Sequence, residues 1–272
     1  MHAAGRGRRP AHLAVACLGL AWPALASAQG PPSVGDAADR PGFADSPVLA
    51  GRGHVLFEAG VTLAHDGDAR ASARTLTGPQ IELHGGLTPW LDLAATWDGL
   101  VSTRTRTSSA GVDDDTTTGL DDFRVGVKIR LTRRPRFAAA LIGYLNVPVG
   151  SAVVSRRYAE PLTRFAWSTT LSERVTISGT ADLQAVREDA EVHAKPAVSA
   201  ALGCGLTSVL DAFVGVVAEP PAFASRPNVW SIEAGLVRAV GDRHQIDLWI
   251  SRRVSGDVDG WFLSAGVIRR LR

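Results

Sequence analysis

From residue 52 onward the chain alternates apolar and polar side chains with period two, and no stretch settles into helical spacing. The clearest run is 119–131. There Phe123, Val125, Val127, Ile129 and Leu131 fall on one face, and Asp122, Arg124, Gly126, Lys128 and Arg130 on the other. Successive strand side chains point to opposite sides, so this segment has one apolar and one charged surface. A helix would mix them. Val55, Phe57, Ala59, Val61 and Leu63 oppose Glu58 and its neighbours in the same way. So do Ile81 and Leu83 against Glu82 and His84, and Leu91, Leu93, Ala95 and Trp97 against Asp92 and Asp98.

Twelve such segments are predicted, at 52–65, 73–87, 90–101, 118–131, 136–149, 160–172, 174–186, 195–207, 209–219, 228–240, 243–253 and 260–271. Each can cross a bilayer as a tilted strand, which takes roughly 9–11 residues. Short connections at 88–89, 132–135, 172–173, 208 and 241–242 alternate with longer polar ones at 66–72, 102–117, 150–159, 187–194, 220–227 and 254–259. Outer-membrane barrels place tight turns on the periplasmic side and longer loops outside. The expectation is an all-β, transmembrane, antiparallel up-and-down barrel of about twelve strands, with both termini periplasmic. Closure pairs every backbone group, as lipid demands. A soluble β protein, extractable without detergent, is the competing reading.

Apolar rows then meet lipid and polar rows meet the lumen. The candidate lumen-lining residues are Glu58, Glu82, His84, Asp92, Asp98, Asp122, Arg124, Lys128, Arg130 and Arg164. They either line a hydrophilic path and set its charge preference, or pair across strands and fill the interior. Trp90, Trp97, Trp230 and Trp261 fall near strand ends, where an indole gains from being part apolar and part hydrogen-bonded.

Composition adds the route to the membrane. Arg6, Arg8 and Arg9 precede an apolar stretch from Ala11 to Leu25, and Ala26-Ser27-Ala28 offers a small-x-small cleavage site. Residues 1–28 therefore read as a cleavable signal peptide, 29–51 as an extended periplasmic lead-in rich in Pro, Gly, Asp and Ala, and 52–272 as the barrel domain. Losing three arginines takes 29 basic side chains to 26 against 27 acids, a net charge of −1. No basic excess is left for nucleic acid. Cys17 leaves with the signal and Cys204 stays alone, which excludes an internal disulfide or a cysteine-based zinc site.

The segment Asp39-Arg40-Pro41-Gly42-Phe43-Ala44-Asp45-Ser46, then Gly53 and Phe57-Glu58-Ala59-Gly60, resembles the opening of a bacterial outer-membrane family. That family is grouped under the MetA-pathway of phenol degradation, and its members are labelled transporters. The resemblance continues at His84-Gly85-Gly86-Leu87-Thr88-Pro89-Trp90, at Gly119-Leu120-Asp121-Asp122, and at Asn146-Val147-Pro148-Val149-Gly150. It implies a barrel that moves small compounds, aromatic ones among them, and it brings no catalytic residues. One departure is the ending Ile268-Arg269-Arg270-Leu271-Arg272, where barrels of this kind commonly end in an aromatic residue.

Chemistry beyond transport finds little support in the residues. His84 with Glu82 and Asp92 is the best acid–base group, but no nucleophile elbow accompanies it, and the reading is not an enzyme. Asp113, Asp114 and Asp115 offer carboxylates for calcium, yet a solvated exterior loop explains them with fewer assumptions; no metal or cofactor is expected. The expected partners are outer-membrane lipid, the barrel-assembly machinery and an unidentified small solute. The leading function is an outer-membrane channel or transporter. The alternative is a closed barrel that acts structurally, or binds through its exterior loops.

Overall fold

The computed structural model describes residues 34–68, 70–108, 113–188, 191–220, 228–256 and 259–271. The signal-peptide segment 1–28 lies outside the described residues. A short helix, α1 (Val34–Ala37), precedes β1 (Val55–Gly67), β2 (Ala71–Thr88), β3 (Leu91–Trp97), β4 (Leu100–Thr107), β5 (Asp113–Leu120), β6 (Phe123–Arg134) and β7 (Phe137–Val147). There follow β8 (Pro161–Ser172), β9 (Val175–Glu188), β10 (Glu191–Gly205), β11 (Leu210–Glu219), β12 (Val229–Val240), β13 (His244–Arg253) and β14 (Asp259–Arg270).

All fourteen strands join one antiparallel sheet, and β1 pairs with both β2 and β14, which closes it. Two pairs of strands are halves of single staves. β3 and β4 pair in succession with one long partner, β2, while β5 continues into β6 alongside them. Fourteen strands therefore make twelve staves, the expected number. The breaks fall at Asp98-Gly99 and Asp121-Asp122. Gly99 has φ +73°, and a Cβ there would lie 2.3 Å from the Pro79 carbonyl oxygen, so only glycine fits that corner.

The connection at 102–117 is a correction to the sequence reading. It is not a loop but a hairpin, with Thr103 opposite Thr117 and Thr105 opposite Asp115. Arg104 pairs with Asp114 across it. Period-two hydrophobicity finds strands that own an apolar face, and this hairpin is polar on both sides. Its β-branched threonines were the available signal. The connections expected at 66–72 and 187–194 also shrink, because β1, β2, β9 and β10 run on to Gly67, Ala71, Glu188 and Glu191.

The barrel is inside-out relative to a water-soluble protein. Among its most buried side chains are Glu58, His84, Asp92 and Lys128, each at most 1% exposed, while Leu93, Leu248 and Ile232 are about half exposed on the outside. A contiguous apolar exterior of this extent would not persist in water. It matches hydrocarbon. The barrel is therefore an outer-membrane β-barrel with a polar interior.

A second correction concerns residues 29–51. Within that stretch, residues 34–50 do not lead up to the barrel from outside; they lie within it. Side chains or amides of Asp39, Arg40, Phe43 and Asp45 bond to β1, β2, β6, β8, β12, β13 and β14, strands from around the whole circumference. Only a segment inside can touch them all.

Candidate functional site

The segment enters at the end of the barrel that carries the short turns. There Val34, Ala37, Ala38 and Ala50 pack on Leu56 and Ile268, two inward apolar side chains of β1 and β14. It leaves past Gly86, where a Cβ would come within 1.8 Å of the Gly51 carbonyl oxygen. Between these points it is held by charge.

Asp39 is the centre. Lys128 Nζ lies 2.8 Å from both its carboxylate oxygens, and His84 Nε2 lies 3.1 Å from one of them. Its backbone N–H and that of Arg40 donate to the two oxygens of Glu58, each at 2.9 Å. Burial alone would raise the Asp39 carboxyl, but Lys128 and His84 outweigh it and hold it well below the usual carboxylate range. Glu82 sits beside this group and accepts from Tyr144 Oη at 3.1 Å, with His84 Nε2 at 3.0 Å. Ligand atoms of Asp39, Glu82 and His84 converge within 4.8 Å, as a divalent site requires, but the Lys128 ammonium already stands at Asp39 where the cation would be.

Arg40 turns the other way. Its guanidinium donates to Asp247 of β13 at 3.1 Å and to Ser264 of β14 at 2.9 Å. Gly60 and Gly266 face each other across the β1–β14 pairing beneath it, and a Cβ on either would fall within 2.5 Å of that guanidinium. Two glycines thus form its seat. Asp45 meets Arg164, which also binds Asp182 on β9. Burial pushes the Asp45 carboxyl up to about 6, against the pull of Arg164. The Phe43 ring stands edge-on to Trp249 and Phe262, with centroids 5.2 and 5.4 Å away, and its N–H donates to Glu233 at 3.2 Å.

The residues anticipated from the sequence therefore divide into groups. Glu58, Glu82, His84 and Lys128 surround Asp39, and Arg164 holds Asp45. Asp92 does not join His84; it accepts the Ala50 N–H at 2.6 Å where the segment leaves. Asp98 and Arg124 pair at 2.7 Å near the long connections. Asp122 serves the connection after β7, accepting from Asn146 Nδ2 and from the N–H groups of Gly150 and Arg156 at 2.8–2.9 Å. Arg130 is two residues beyond Lys128 on β6, opposite Ala140.

Of the tryptophans, Trp97 stacks on Phe123 at 5.3 Å and donates Nε1–H to the Asp121 carbonyl, and Trp261 tilts on His65 at 5.9 Å. Trp230 opens β12 and Trp90 lies in the short turn after β2, both about half exposed. Sequence reasoning named Asp39, Arg40, Phe43 and Asp45 only as part of a family resemblance and missed their place inside the barrel, because nothing in a non-periodic stretch marks it as an insert. The inward Asp247 and Glu233, with no partner assigned on neighbouring strands, were the clue.

The opposite wall is different in kind. Ser168 and Thr170 of β8, Thr176 and Ser178 of β9, and Ala201 and Gly203 of β10 are all small. A cavity of about 580 Å³ runs between them and the segment. It ends near Arg133, Arg136 and Arg174 at the short turns.

An outer membrane channel from Pseudomonas putida F1 superposes with a TM-score of 0.64 at 11% identity, over 85% of this chain and 99% of that one. The transport unit of the autotransporter AIDA-I from Escherichia coli reaches 0.54 at 8% identity, over 79% and 89%. The translocator domain of autotransporter NalP from Neisseria meningitidis reaches 0.52 at 13% identity, over 79% and 88%. At these identities the likeness is one of fold. No curated protein matches the sequence. A family described as "Putative MetA-pathway of phenol degradation" matches residues 38–271, the whole barrel and most of the segment inside it, and the chain belongs to that family.

Proposed function

We propose that the chain is an outer-membrane channel for small solutes, aromatic ones among them, whose bore is narrowed by its own residues 34–50. The observation that carries this reading is the cavity of about 580 Å³ beside the segment, walled by Ser168, Thr170, Thr176, Ser178, Ala201 and Gly203. A barrel that served only as a scaffold has no use for a continuous row of small side chains opposite a plug. In this reading the short turns face the periplasm, lipid covers the apolar exterior, and the assembly machinery inserts the chain. Asp98, Arg124 and Arg164 meet the solute first, and Arg133 last.

The test is conductance in planar bilayers. The native chain gives small, resolvable single-channel steps. Replacing Ser178 and Ala201 on the small-residue wall by Phe narrows the passage and lowers each step by at least half. If verified insertion gives no steps, or the wall substitutions leave their size unchanged, the channel or its placement is wrong.

A further inference from the structure

The Phe43 ring is held by the barrel in the way a binding site holds a ligand. Trp249 and Phe262 stand at 87° and 82° to it, edge-to-face geometry, and at 87° to each other with centroids 4.5 Å apart. The carboxylate of Glu233 lies at its backbone, one oxygen accepting the Phe43 N–H.

Two of the buried polar atoms on these residues are unanswered. Glu233 is 3% exposed and Trp249 9% exposed, yet Glu233 Oε1 and Trp249 Nε1 have no hydrogen-bond partner. Buried polar atoms are nearly always paired, and an orphan costs free energy that a suitable ligand recovers. Phenylalanine fills the aromatic slot but brings no side-chain group for an acceptor or a donor. A phenol brings an O–H that donates to the Glu233 oxygen which the Phe43 N–H gives up on leaving.

From this geometry we infer that Trp249, Phe262 and Glu233 form a binding site for a phenolic ring, which Phe43 occupies when no solute is present. The ring of the solute takes the place of Phe43, and its hydroxyl donates to Glu233. Binding competes with docking of the segment, so occupancy loosens residues 39–45 and widens the passage. This rests on the channel reading only for its purpose; the site itself is a matter of binding.

The test uses the full chain folded in detergent. Cys204→Ser removes the native thiol, and Ala44→Cys reports release of the segment through its rate of maleimide labelling. The probes are phenol, toluene and cyclohexanol at equal concentration. Phenol raises the labelling rate several-fold, while toluene (no hydroxyl) and cyclohexanol (no aromatic ring) change it less than twofold. Glu233→Leu reduces the phenol response to that of toluene.

Phe43→Ala leaves every barrel residue in place and keeps the test decisive should Glu233→Leu fail to assemble. By direct titration it binds phenol roughly tenfold more tightly than the native chain does, and roughly tenfold more tightly than it binds toluene. Equal responses to phenol and toluene, or no phenol binding by Phe43→Ala, overturn the inference. Conductance without a phenol response removes this site and leaves the channel standing. Phenol binding by a barrel that conducts nothing does the reverse.

Discussion

The Lys128 ammonium, 1% exposed on β6, lies 2.8 Å from both carboxylate oxygens of Asp39, a residue that reaches it from outside the sheet sequence altogether. Breaking such a buried pair from one side strands the other charge and costs about 3–5 kcal/mol, whereas removing both charges costs far less. Lys128→Met is therefore expected to release the segment and lower the melting temperature in detergent. Adding Asp39→Asn restores most of the loss. Equal melting of the single and double variants would show that the pair does not hold the segment.

The seat of Arg40 makes a steric prediction. The three atoms nearest a Cβ on Gly60 all belong to the Arg40 guanidinium, at 2.5–2.7 Å, while a Cβ on Gly85 meets nothing within 4 Å. Gly60→Ala displaces the guanidinium from Asp247 at a cost of about 1–3 kcal/mol, and Gly85→Ala serves as the control on the neighbouring strand. Single-channel steps grow in the first and stay unchanged in the second.

Acidity acts on the segment through two carboxyls of opposite sign. Asp45, raised to about 6 from an ordinary 3.8, binds a proton more readily when docked, so its contribution improves as pH falls through 6. It does so among Arg164, Asp39, Glu82 and Lys128. Asp39 is held low, so its contribution is present above the ordinary carboxylate value near 4 and fades below it. A spin label attached through Ala44→Cys, in the Cys204→Ser background, should stay immobile or tighten from about pH 7 to 5 and loosen below about 4. Loosening already between pH 7 and 5 would contradict this assignment.

Asp122 holds the connection between β7 and β8. Asp122→Ala leaves the Gly150 and Arg156 N–H groups without their acceptor and the Asn146 amide with the Tyr158 carbonyl at 3.4 Å, a loss of about 2–4 kcal/mol. Trypsin should then cut at Arg156 or Arg157 at least tenfold faster while the barrel stays intact. Cleavage at the native rate would mean that the connection is held elsewhere.

The exterior is tested by charge. Leu248→Arg places a cation at a half-exposed position in mid-β13 and should lower insertion into lipid vesicles by about 2–4 kcal/mol, while Val254→Arg beyond the end of the strand costs about 1 or less. The fraction of heat-modifiable, folded protein on a gel measures both. Equal insertion would place the lipid boundary elsewhere.

Much of the barrel was legible because β6 and β13 carry an unbroken apolar row, and such a row has few destinations. The polar hairpin of β4 and β5 was not, since its threonines and charges give neither face to lipid. The staves break where the chain turns a corner at Gly99 and Asp121-Asp122, and a single glycine in an alternating run does not announce a corner. The candidate site was half legible. Glu58, His84 and Lys128 could be assigned to the inner face from parity alone. Their common partner could not, because Asp39 lies on a stretch with no period, and its pairing depends on a chain path that the strand pattern does not encode.

The dipeptide Asp39-Arg40 grips both sides of the join between β1 and β14. Its amides hold Glu58 on the first strand, and its guanidinium holds Ser264 on the last and Asp247 beside it. Sliding β14 by one residue would turn every side chain to the wrong face, which hydrocarbon detects. Sliding by two preserves all the faces, so lipid is blind to it, yet moves Ser264 by roughly 7 Å. Arg40 cannot then reach both of its acceptors while Glu58 keeps the amides. The pair therefore proofreads the even-numbered slips that greasiness alone lets through.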